Sequence, residues 1–128
     1  MPTKRRANEE LFLRYRGSAV VVALLADKWT IPVLHALGRG TRRTGELRRE
    51  LEGVSQKMLT QTLRTLEAHG LLIRTVHPVV PPHVEYALTD MGVSINQPLT
   101  ALCLWVERNG VALERGLARR QRRAGAQG

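Results

Sequence analysis

Residues 44 to 88 constrain this chain more than any other stretch. They hold a short basic helix pattern, a turn at Glu52-Gly53-Val54, a polar-faced helix opening at Ser55, and two β-prone runs parted by prolines. Across Ser55–Gly70 the apolar residues Leu59, Leu63 and Leu66, with Met58 and Thr62 beside them, recur at helical spacing and define a core-facing stripe. Ser55 suits the N-cap, where its hydroxyl can accept a free backbone N–H. Gly70 suits the C-terminal stop, where positive φ is needed. Upstream, Leu47 and Leu51 lie four apart, with Thr44 as the expected cap of a first helix. Two short helices around a glycine turn form a helix-turn-helix unit. Downstream, Leu72–His77 and Val84–Leu88 are rich in β-branched and aromatic residues, and Pro78, Pro81 and Pro82 between them exclude a regular ladder. A hairpin with a proline-rich tip follows, although a proline pair also suits a polyproline docking segment. The expected fold is mainly α with a small β-hairpin wing.

The outward face of the second helix carries Ser55, Gln56, Lys57, Thr60, Gln61 and Arg64, and no carboxylate before Glu67. Hydroxyls, amides and cations suit base edges and phosphates: Gln pairs bidentately with adenine, Arg with guanine, and Ser or Thr with either base edges or phosphate oxygens. An ordinary solvated face is the competing reading for the helix alone. Thr44 at the first helix, with Arg74 and His83 on the wing, completes the expected DNA-contacting set. Composition agrees, since 20 Lys and Arg against 11 acidic residues give a net charge of +9, as phosphate neutralisation requires. A basic balance alone also fits RNA or a membrane surface.

Longer strings carry a family resemblance. Asp27-Lys28-Trp29-Thr30, Gly45-Glu46-Leu47-Arg48-Arg49, the run Val54–Glu67, Gly70-Leu71, the run Val80–Thr89 and a late Trp105 stand in unbroken order from about residue 18 to 107. In these the chain closely resembles the HxlR family of bacterial winged helix-turn-helix regulators, related to the MarR-like group. The resemblance implies a homodimeric regulator of double-stranded DNA with the dimer built mainly by terminal helices. With no separate activating segment in the sequence, a repressor on a pseudo-palindromic operator is expected, the alternative being a sequence-indifferent nucleic-acid-binding or architectural protein. It favours a helix for the β-branched run Ser18–Leu25, which by composition could equally be a buried strand. The expected organisation is a basic segment at 1–16, the regulator domain with its dimerisation helices at 17–107, and a basic tail at 108–128, both ends being mobile at their extremities.

Two further helices are expected. One spans Ile31–Leu37, with Pro32 in its first turn and Gly38 and Gly40 ending it; Trp29 before it should pack into the core. The other runs from about Thr89, its cap, to Val106, with Met91, Ile95, Leu99, Leu102 and Val106 on one stripe; packing against its own domain is one reading, and the family's dimer architecture favours the stripe as the dimer interface. Pro98 should kink or restart that helix.

Catalysis is not expected. His35, His69, His77 and His83 are scattered without a His-Glu-x-x-His or Cys-x-x-Cys spacing, and no Gly-rich phosphate loop occurs. His77 and His83 flank the wing tip and could face each other, yet no metal or other cofactor is expected. The single Cys103 excludes an intrachain disulfide, and its apolar neighbours suggest a buried, inert thiol. Oxidant-sensing relatives carry a cysteine just ahead of the first core helix, where this chain has Arg16-Gly17. Where Arg or Lys commonly follows the proline pair, it has His83. Any effector would be a small molecule of unknown identity. No apolar run approaches the ~18 residues of a membrane span, and there is no signal-peptide layout, so a cytoplasmic location is expected.

Overall fold

Helix formation follows local signals closely in the computed structural model, which describes residues 10 and 12–127. After a helical stretch at residues 12–14 come two apolar helices, α1 (Arg16–Ala26) and α2 (Thr30–Gly38). The short strand β1 (Arg42–Arg43) leads into the helix-turn-helix pair α3 (Thr44–Glu50) and α4 (Gln56–Ala68). Strands β2 (Leu72–His77) and β3 (His83–Leu88) form the hairpin, and α5 (Asp90–Gln127) follows. The ambiguous run before Leu25 is thus helical. The chain divides into two compact units, Met1–Val93 and Ser94–Gly128.

In the first unit α2 packs against α1, α3, α4 and β3, and α4 against α2, α3 and β2. Their shared core contains Val33, Leu34, Leu47, Leu59, Leu63 and Leu66, each at most 1 % exposed. The α4 stripe therefore faces inward as its spacing predicts, except that Met58 is 40 % exposed and belongs to the outer surface. Trp29 lies in the core, at 8 % exposure.

The helix boundaries have identifiable causes. Met58 N–H donates to Ser55 Oγ at 3.1 Å, the expected N-cap. At the other end Gly70 adopts φ +74°, its N–H donating to Glu67 O and that of Leu71 to Leu66 O, which is the paired hydrogen-bonding of a Schellman stop. Gly53 at φ +89° makes the interhelical turn. Thr44 is not a cap. Arg43 holds that position, and its N–H donates to Glu46 Oε1 at 3.0 Å, because residue 43 is already fixed in β1 and the carboxylate three residues on reaches back.

The sheet has three strands, not two, in the order β1-β3-β2, with Arg42 opposite Tyr86 and His77 opposite His83. Arg42 and Arg39 both bond Glu50, at 2.6 and 3.2 Å, tying β1 to the end of α3. The Arg42 guanidinium above all, with Arg39 assisting, holds the Glu50 carboxyl below the usual carboxylate range.

Helix α5 departs most from expectation. It continues through Pro98 and through the segment expected to be a basic tail, reaching Gln127. Pro98 has no N–H to donate, but one missing bond in a 38-residue helix does not end it. Its start is capped as expected, with Gly92 N–H donating to Thr89 Oγ1 at 3.1 Å. The basic residues Lys4, Arg5 and Arg6 lie outside the described residues.

Candidate nucleic-acid interface

A cleft of about 520 Å³ opens between α4 and the wing, lined by Thr44, Gln56, Thr60, Leu63, Arg64, Glu67, Arg74, Val84 and Tyr86. Five of the nine residues expected to touch DNA meet there: Thr44 from α3, Gln56, Thr60 and Arg64 from α4, and Arg74 from β2. The geometry follows from two periods. Gln56, Thr60 and Arg64 are spaced by four along α4, and Arg74, Val84 and Tyr86 share one face of the hairpin, Arg74 standing opposite Tyr86. Gln56 Nε2 donates to Thr60 Oγ1 at 3.2 Å, which holds the amide along the groove wall.

Three more residues of the set lie outside the cleft, two on α4 and one at its N-cap. Lys57 and Gln61 occupy the adjoining exposed face, and Ser55 is committed to its cap. Lys57, Arg64 and Arg74 have no acidic partner among the described residues, so their charges are available to an anion. His83 is placed differently. By strand alternation it lies on the opposite face from Arg74, and it bonds Glu85 at 3.3 Å.

One positioning device was not legible in the sequence. Asp27 accepts the Trp29 backbone N–H on Oδ1 at 2.8 Å and the Thr62 hydroxyl on Oδ2 at 3.2 Å, linking the α1–α2 corner to α4 across 35 residues. Thr62 is only 2 % exposed, so a hydroxyl on this inner face needs such a partner. Thr62→Val keeps the shape and loses the bond. It should lower stability by about 1 kcal/mol in urea melts, and an unchanged midpoint would show that the bond contributes nothing net.

The half-exposed Cys103 corrects the expectation of a buried thiol. Among the described residues no single helix is long and apolar enough to cross a membrane.

A helix-turn-helix whose second helix presents amides, hydroxyls and cations beside a β-wing defines a winged-helix DNA-binding transcriptional regulator. Known proteins agree. The HxlR-like helix-turn-helix family description matches residues 24–114, and the chain belongs to that family. It is 44 % identical over 99 residues to the HTH-type transcriptional regulator YtfH of Escherichia coli K12, covering 77 % of this chain and 79 % of that protein. Among solved structures, the transcriptional regulator ytfH from Salmonella typhimurium superposes with a TM-score of 0.68 at 44 % identity, covering 81 % of this chain and 90 % of that one. The redox regulator HypR in its reduced form gives 0.70 at 34 % identity, over 75 % and 95 %.

Proposed function

We propose that this regulator is a cytoplasmic repressor that binds a pseudo-palindromic operator as a homodimer. The observation that carries the DNA reading is the convergence of Gln56, Thr60 and Arg64 with Arg74 on one cleft. An α-helix fits the major groove, and its side-chain amides and guanidinium read base edges while neighbouring cations meet phosphates. Two such helices related by a two-fold axis would reach grooves about 34 Å apart.

Exposed apolar side chains support the dimer. On α1, Val20 and Val22 are 40 % and 57 % exposed, and on α5 Leu102, Trp105 and Val106 are 43 to 49 % exposed. The expected interface stripe is uneven. Met91 is exposed and Ile95 half-buried, whereas Leu99 is already buried within the single chain, so its offer to a second copy is small.

The second reading is a sequence-indifferent nucleic-acid binder or architectural protein, in which the basic ends of the sequence supply the affinity. Duplexes selected from the protein's own genome, compared with random duplex at one salt concentration, separate the two. A specific regulator should favour the selected duplex by at least ~10³, and equal affinities would overturn the repressor reading. Gln61→Ala should weaken the selected complex by about 1–3 kcal/mol and the random one little, if Gln61 reads a base. Equal losses on both would make it a phosphate contact.

Regulation by the cysteine route is not expected. The position at which oxidant-sensing relatives carry a cysteine holds Arg16-Gly17, the first residues of α1, and the half-exposed Cys103 lies far along the chain on α5. Peroxide or a quinone at moderate dose should leave operator affinity unchanged in wild type and in Cys103→Ser alike. A loss of binding in wild type that disappears in Cys103→Ser would identify Cys103 as a sensor.

A further inference from the structure

We propose that the wing carries a binding site for a divalent transition-metal ion of the zinc class, formed by His77, His83 and Glu85. This site is independent of the DNA-facing cleft. The register places His77 directly opposite His83 at the end of the hairpin ladder, and Glu85 two residues further along β3 on the same sheet face. The two imidazoles stack with ring centroids 4.6 Å apart, and both turn Nε2 onto one carboxylate: His77 to Glu85 Oε2 at 3.1 Å, His83 to Oε1 at 3.3 Å. All three candidate ligand atoms lie within 4.8 Å of one another.

Those separations suit a metal. Around an ion with bonds of about 2.0–2.1 Å, tetrahedral N and O ligands stand about 3.3 Å apart, close to the two nitrogen-to-oxygen distances here. Two imidazoles and a carboxylate form an N₂O set, which favours zinc, copper, nickel or cobalt over the oxygen-seeking magnesium and calcium. Access is open, since the side chains of His77, His83 and Glu85 retain 38 %, 21 % and 31 % of their exposure. Three protein ligands leave further positions for water or another donor. Arg43 is the cross-strand neighbour of Glu85 from β1, but it makes no ion pair with that carboxylate among the described residues. The backbone already supplies the spacing, so binding needs only side-chain rotation that unstacks the rings. An ion there would cross-link β2 to β3 beside the tip.

The test uses the full chain and the metal alone. Zn²⁺ titrated calorimetrically should bind at one ion per chain, and Co²⁺ should give the visible absorption of nitrogen and oxygen ligation. His77→Gln and His83→Gln should each weaken binding by at least about tenfold, with unchanged circular dichroism. Amide exchange in Thr75–Glu85 should slow on adding Zn²⁺ to wild type. Dissociation constants above about 1 mM, a smaller loss in these variants, or protection elsewhere than in the hairpin would overturn the proposal. So would a Co²⁺ thiolate charge-transfer band that vanishes in Cys103→Ser, because it would place the ion on Cys103.

Discussion

Leu102→Asp is expected to yield a folded monomer that has lost operator binding. Leu102 is 43 % exposed in the single chain, so an aspartate there meets water and leaves the fold intact. In the proposed dimer the same carboxylate is buried without a partner, which costs several kcal/mol. Each 1.4 kcal/mol is about tenfold in the association constant, so dimers should dissociate at micromolar concentration. Operator affinity should fall with them by about a thousandfold or more, because one half-site contact replaces two. Leu99→Asp is the informative contrast. Leu99 is 4 % exposed within the chain, so that change should unfold protein rather than separate subunits. Sedimentation of Leu102→Asp at the wild-type dimer mass would remove this face of α5 from the interface.

Gly92→Ala should destabilise the regulator severely. A Cβ at residue 92 would stand 2.0 Å from the carbonyl oxygen of Leu71 and 3.1 Å from its carbon, both backbone atoms that cannot rotate away. The approach is locked from several sides: Thr89 N–H donates to Leu71 O at 3.1 Å, Thr89 Oγ1 donates to Gly70 O at 2.6 Å, and Gly92 N–H returns to Thr89 Oγ1. The first turn of α5 is thereby fastened to the stop of α4. Inserting a methyl must break that fastening or displace the chain, at a cost of about 3 kcal/mol. For a domain of this size the melting temperature should fall by more than about 10 °C. A thermal midpoint within a degree or two of wild type would mean that the α4–α5 junction relaxes freely. Gly116→Ala supplies the control, since a Cβ there meets nothing within 4 Å and Ala favours the helix.

The helix-turn-helix and the wing follow from local signals. Ser55, Gly53 and Gly70 fix the ends of α4 and the turn before it through their own hydroxyl or backbone freedom, and the Leu59, Leu63 and Leu66 spacing fixes which face turns inward. These signals act over a few residues, so they are readable without knowing the rest of the chain. The same inward turn placed Gln56, Thr60 and Arg64 outward, which made most of the candidate interface legible.

Other features depend on residues far apart in sequence and arise only when the chain packs. Strand β1 is two residues long, too short to show a period, and exists only because β3 pairs with it. Asp27 reaches Thr62, and Gly92 nests against Leu71, through contacts that no local pattern announces. The placement of His83 beside His77 and Glu85, on the face away from Arg74, follows from β2–β3 register. A one-residue slip would have reversed it. The persistence of α5 past Pro98 has the same character: a proline states a local cost, and whether the helix ends there depends on the summed hydrogen bonds and packing of its other residues.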